Sequence, residues 1–132
     1  MAVSCLLVDD SEDFLVSATR LLTLQGIRVV GRASSGAEAL RLAEALSPDV
    51  ALVDVELGAE DGIEVSRRLT SGSPSMIVIL ISVRDRDELG DLIAGSGAVG
   101  FLRKDTLGAA AVTSLIAESR KGGAEPEPPR LR

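Results

Sequence analysis

Two periodicities alternate along the chain. Short apolar, β-branched runs at Val3–Val8, Ile27–Ala33, Val50–Val53, Met76–Ser82 and Gly100–Arg103 predict strands. Most are apolar at consecutive positions, as in parallel strands covered by helices on both faces. Between them the apolar residues recur at helical spacing. Phe14, Leu15, Ala18, Leu21 and Leu22 form one stripe, and Ala39, Leu40, Ala43 and Leu46 a second. Val65 and Leu69 sit one turn apart. Leu89, Leu92 and Ile93 make a fourth stripe, and Val112, Leu115 and Ile116 a fifth. Ser35-Gly36-Ala37-Glu38 has capping-box spacing and predicts the start of the second helix. Gly26 and the Ser47-Pro48 pair predict the ends of helices one and two. Gly90, Gly95 and Gly97 crowd the fourth helical segment. Each glycine inside a helix costs roughly 1 kcal/mol against alanine, so that helix is expected to be weak.

Strand and helix in strict alternation predict an α/β fold with a doubly wound parallel sheet. One domain is expected over 1–121. Residues 122–132 carry no apolar period and three prolines, and read as a disordered tail or linker stub.

Composition narrows the function. The chain has 132 residues, 45% apolar and 26% charged, the profile of a globular domain with one core. It holds two Phe and neither Tyr nor Trp, which argues against base-stacking platforms. Its net charge of −6 suits a phosphate backbone poorly, so no nucleic acid is expected as a partner. There is no histidine, which removes Ser-His-Asp triads and His-ligated zinc. The single Cys5 reads as a small buried hydrophobe, and one cysteine suggests a reduced, cytoplasmic setting. No secretory leader or membrane span is evident, so no membrane role is expected.

In open α/β sheets, sites form at the carboxyl ends of the strands. Asp9 and Asp10 follow the first strand. Asp54 follows the third, in VALVDVELGAEDG. Ser82 ends the fourth, in VILISVRD, and Lys104 follows the fifth, in GFLRKDT. Taken singly, each reads as an ordinary polar residue at a strand end. Together they put three carboxylates, a hydroxyl and an ammonium on one rim. Neighbouring acids repel, more so beside an apolar interior. Either they sit in solvent or a cation sits among them, and three acid oxygens suit Mg²⁺. Lys104 would add a second positive charge, and Ser82 a hydrogen bond to a phosphoryl oxygen. GSGAVG, Gly95 to Gly100, matches a dinucleotide fingerprint in letters only. It follows a helix and leads into a strand, the reverse of what that fingerprint requires.

VDD, LVDVELGAEDG, LIS and GFLRKD, in this order at the ends of strands one, three, four and five, resemble the response-regulator receiver domains of CheY type, from Val3 to about Arg120. GFLRKDT is closest to the NarL-like group, without its helix-turn-helix domain. The resemblance implies a flavodoxin-like five-stranded (βα)5 fold with strand order 2-1-3-4-5. It implies Asp54 as phosphoacceptor, with Mg²⁺ among Asp9, Asp10, Asp54 and the Glu56 backbone carbonyl. It implies Lys104 as the phosphate counter-charge and a Ser82–Phe101 switch. Glu56 and Arg84 fall at positions that vary in the family with dephosphorylation rate, and their opposite charges suggest that they meet across the rim. The implied partner is a sensor histidine kinase, and pairing through helix four, strand five and helix five is a further expectation. The chain departs from the family's usual proline at Gly58, which suggests a looser loop after Asp54, and at Asp105, which leaves the isomer of the Lys104–Asp105 bond open.

Besides a pure binding module that no longer accepts phosphate, against which the intact acid, hydroxyl and lysine set argues, two alternatives are weighed. One is the receiver half of a transcription factor whose DNA-binding domain is absent from this chain. The other is a phosphohydrolase of haloacid-dehalogenase type, in which the nucleophile follows the first strand and the acid pair comes late. Here the acid pair comes first.

Overall fold

The structure, a computed structural model, describes residues 2–124. Five strands and five helices alternate: β1 (Ser4–Val8), α1 (Glu12–Leu24), β2 (Arg28–Ala33), α2 (Gly36–Leu46), β3 (Val50–Asp54), α3 (Gly62–Gly72), β4 (Ile77–Ser82), α4 (Arg86–Leu89), β5 (Gly100–Arg103) and α5 (Ala109–Ala124). The strands form one parallel sheet in the order β2-β1-β3-β4-β5, the expected 2-1-3-4-5. The tail expected from Gly122 falls, from Glu125 onward, outside the described residues.

The alternation along each strand sorts the core into two layers. Leu6, Val8, Ala51, Val53, Val78 and Leu80 face α2 and α3 and pack with Ala39, Ala43, Val65 and Leu69. Cys5, Leu7, Val50, Leu52, Ile79 and Ile81 face the other way and pack with Leu15, Ala18, Leu22, Val112 and Ile116. Fully burying a leucine or valine side chain is worth roughly 1.5–3 kcal/mol. Both faces of β1, β3 and β4 contribute this way, so the register of the middle strands is tightly specified.

Polar side chains supply the local stops and starts. Ser11 caps α1 by accepting the N–H of Phe14, and Asp61 caps α3 by accepting that of Ile63. At α2 the capping box closes with one shift. Ser35 Oγ accepts from Glu38 N, but Glu38 reaches back to the N–H of Ser34 rather than Ser35. Ser47 ends α2 in a left-handed conformation (φ 45°). The side-chain carbonyl of Gln25, beyond the end of α1, accepts the Ala109 N–H that opens α5.

Two local features differ from the sequence expectation, and a third settles a point it left open. The loop after Asp54 is not slack. Glu56–Leu57 and Glu60–Asp61 pair as a small antiparallel ribbon, and Glu60 Oε1 accepts the Gly36 N–H at 2.8 Å. Gly58 turns this ribbon at φ +59°, a conformation barred to the proline that the family favours there. The fourth helix is shorter than its apolar stripe suggests. It has one turn, Arg86–Leu89, and a 3-10 turn, Gly90–Leu92, with Gly90 at φ +51° where the two meet. The connection to β5 is then tied to α3: Ser66 Oγ donates to Ser96 O, and Arg67 Nε to Gly95 O, each at 3.0 Å. Finally, the Lys104–Asp105 bond is trans.

Candidate functional site

Register decides which residues meet. Val8 lies opposite Val53, Asp54 opposite Ile81, and Ser82 opposite Arg103. The next residue on each of β1 and β5, and the last residue of each of β3 and β4, therefore share one rim. These are Asp9, Lys104, Asp54 and Ser82. Asp9 and Ser82 are almost fully buried and Asp54 is 6% exposed. Asp10 turns outward and is exposed. One carboxylate oxygen from each of Asp9, Asp10 and Asp54 lies within 4.8 Å of the others.

Lys104 crosses the rim to meet these acids. Its Nζ lies 2.6 Å from Asp9 Oδ2 and 3.2 Å from Asp54 Oδ2. The contact with Asp54 is a hydrogen bond. The contact with Asp9 is an ion pair with poor alignment, and Asp9 Oδ2 accepts no hydrogen bond although it is buried. The other oxygen, Oδ1, accepts the Ser11 N–H at 2.9 Å. Asp54 Oδ1 accepts the Glu56 N–H at 3.1 Å. The Phe14 ring lies beneath the ammonium, its centroid 4.3 Å from Nζ.

This crowding shifts the protonation equilibria. Burial pushes the Asp54 carboxyl up to about 6, and the Asp9 charge adds to the rise, while the Glu56 N–H and Lys104 pull against it. Burial acts on Lys104 in the opposite sense, toward a lower value. The carboxylates of Asp9 and Asp54 outweigh it and hold the ammonium above the ordinary lysine range. At neutral pH, Asp54 is thus mainly ionised and Lys104 is charged, and Asp9 and Asp54 share one lysine.

The donor set fits a divalent cation. It offers three carboxylates within reach of one centre, one of them with a buried oxygen that accepts no hydrogen bond. All are hard oxygen ligands of the kind that Mg²⁺ takes. A buried anion without full compensation is costly, and a cation would relieve it.

The outer part of the rim holds the switch and tuning candidates. Ser82 Oγ accepts the Arg84 N–H at 3.0 Å and so is folded back onto its own loop. Phe101 is half-buried against the α2–α3 layer of the core. It lines an open groove with Asp85, Arg86 and Arg103, away from the acids. Arg84 Nη2 pairs with Glu56 Oε2, both side chains about half exposed, so the two charges do meet across the mouth.

Residues 5–116 match the family described as the response regulator receiver domain. The chain belongs to this family. The receiver is 34% identical over 103 residues to the response regulator GacA of Pseudomonas aeruginosa, covering 77% of this chain and 48% of that protein. It is 37% identical over 122 residues to the transcriptional regulatory protein LiaR of Bacillus subtilis, covering 91% and 57%. The signal receiver domain of NarL from Mycobacterium tuberculosis superposes with a TM-score of 0.77 at 34% identity, over 92% of this chain and 98% of that one. The chain spans about half the length of the GacA and LiaR proteins it matches. As a receiver domain it belongs to two-component signalling, and its sheet is the CheY-like flavodoxin fold. Receivers bind Mg²⁺ at an acidic pocket, and the three aspartates form such a pocket here. Among the described residues no helix is long and apolar enough to cross a membrane.

Two residues of this receiver's site escaped the sequence reading. Gly62 opens α3 against the backbone of Asp54. A Cβ there would sit 1.9 Å from the Asp54 carbonyl oxygen, so any side chain would push β3 and the helix apart. The Asp61-Gly62 pair was a local turn signal, but the contact is tertiary. Phe14 was read as part of the core stripe of α1, and nothing local shows that its ring lies under Lys104.

Proposed function

We propose that Asp54 accepts a phosphoryl group from a phosphohistidine on a sensor kinase. The observation that carries this reading is the buried rim itself: an ionisable Asp54 oxygen, two further acids and a lysine converge where little else is polar. An oxygen of the Asp54 carboxylate attacks phosphorus, the bond from phosphorus to the donor's imidazole nitrogen breaks, and the imidazole takes a proton from solvent. The donor histidine comes from the partner, since this chain has none. Mg²⁺ held by Asp9, Asp10, Asp54 and the Glu56 backbone carbonyl would neutralise charge on the transferring group. Lys104 turns from Asp9 toward the phosphoryl oxygens and supplies a fixed positive charge. Ser82 exchanges the Arg84 N–H for a phosphoryl oxygen, and Phe101 swings inward as the loop moves, which couples the modification to the outer face. Water later attacks phosphorus and releases inorganic phosphate and the free carboxylate. The domain thus assists its own modification and works as a switch rather than an enzyme. We place it in the cytoplasm, where sensor kinases present their phosphohistidines.

Intact-mass spectrometry with a small phosphodonor tests this. The wild type should gain one phosphoryl group with Mg²⁺ and none with excess EDTA. Asp54→Asn should gain none under either condition. A full gain in Asp54→Asn would move the acceptor elsewhere.

A further inference from the structure

We infer that Phe14 is a positioning residue for Lys104, an inference that rests on the proposed phosphoacceptor role of Asp54. The contacts form a closed circuit. Asp9 Oδ1 accepts the Ser11 N–H, Ser11 Oγ accepts the Phe14 N–H, the Phe14 ring faces Lys104 Nζ at 4.3 Å, and Nζ returns to Asp9 Oδ2 at 2.6 Å. The ring is therefore placed by the same strand end that carries the acid pair. Ser11, Phe14 and Lys104 also share the wall of an open cleft with Val83, Arg103 and Asp105.

The chemistry explains why a ring belongs there. Lys104 lies nearer to Asp9 than to Asp54. Asp9 is among the residues that would hold a cation, and Lys104 would then lose its nearer partner. Asp54 and the ring then hold the ammonium. An aromatic face attracts a cation through its quadrupole without requiring a particular N–H direction. The three N–H donors of the lysine stay free to turn toward phosphoryl oxygens. A third carboxylate would also hold the ammonium, but it would repel the incoming phosphate. An aliphatic side chain would fill the space and hold nothing.

The test compares the wild-type chain, Phe14→Leu and Phe14→Tyr. Leucine keeps apolar bulk and removes the ring; tyrosine keeps the ring and points its hydroxyl to the open cleft. With acetyl phosphate and Mg²⁺, Phe14→Leu should take up phosphoryl groups on the order of two- to fivefold more slowly. Phe14→Tyr should match the wild type. In the unphosphorylated protein, the Lys104 ε-methylene protons should be shifted upfield by the ring in wild type and in Phe14→Tyr, and not in Phe14→Leu. Uptake by Phe14→Leu at the wild-type rate, or equal slowing in both variants, would overturn the inference. So would ε-methylene protons at random-coil positions in the wild type. That signal needs no phosphorylation, so a wild type that takes up no phosphoryl group would defeat the Asp54 reading alone.

Discussion

Arg103 and Lys104 are neighbours at the end of β5, and each meets two carboxylates. Arg103 turns to the outer face, where it pairs with Asp85 and Asp105 at 2.6 Å each. Those three side chains are between 43% and 61% exposed. Lys104 turns into the rim with 16% of its side chain exposed, and its partners Asp9 and Asp54 are at 0% and 9%. Distances hardly separate the two sets; surroundings do. Both acid pairs raise the affinity of their cation for its proton, but arginine is charged at any relevant pH, so its shift has no consequence. In water, ion pairs are screened and must order long side chains, and their net worth is small. Inside the rim, the same charges lack solvent: burial pushes Asp54 up to about 6 against the pull of Lys104, and each partner depends on the other.

The sharpest way to break this comparison is to delete each cation. Lys104→Ala leaves Asp9 and Asp54 facing each other in a buried site. Without metal it should lower unfolding stability at neutral pH by about 2 kcal/mol, and Mg²⁺ should restore part of the loss. It should also uncouple phosphorylation from the NMR shifts of Ser82 and Phe101. Arg103→Ala should leave the urea midpoint and the phosphorylation rate at wild-type values. Equal losses in the two variants would show that burial is not what separates them.

Asp54→Asn should act in the opposite direction on stability. The folded carboxyl titrates at about 6 against 3.8 in its ordinary state, so folding favours the protonated form. That contribution is complete below about pH 4 and is lost as pH rises through about 6. In EDTA at neutral pH, the wild type should therefore be less stable than Asp54→Asn by roughly 1–3 kcal/mol, with the gap closing toward acid pH. Urea unfolding at both pH values checks it. A gap that widens on acidification would reverse the sign of the argument.

A smaller effect is expected at the mouth of the rim. The Arg84–Glu56 pair is exposed and contributes little stability. As a lid over Asp54, the pair would hinder the water that must line up with phosphorus. Replacing both with Ala should speed loss of the phosphoryl group by up to about fivefold, and high salt should act more weakly in the same direction. An unchanged half-life in the double variant would mean that there is no lid.

The legible part of this molecule followed strand ends. The apolar runs before Asp9 and Asp54 are unbroken, only Arg103 separates Gly100–Leu102 from Lys104, and parallel strands bring their carboxyl ends to one edge, so the rim is legible in the sequence. Elements too short to show a period were not legible. The ribbon of Glu56–Leu57 with Glu60–Asp61 has two residues a side. Leu89, Leu92 and Ile93 keep helical spacing although Gly90 breaks the helix between them. Contacts that exist only in three dimensions stayed hidden as well. Gly62 must be glycine because of a carbonyl on β3, and Phe14 reads as core until Lys104 folds over it.

The central claim is that Asp54, and neither Asp9 nor Asp10, is the phosphoryl acceptor. It is tested most directly by locating the group. Wild-type protein is phosphorylated with a small donor and Mg²⁺, the acyl phosphate is reduced with borohydride to homoserine, and the chain is mapped by peptide sequencing in the mass spectrometer. The account predicts homoserine at position 54 and aspartate at 9 and 10. Homoserine at 9 or 10, with 54 untouched, would contradict it.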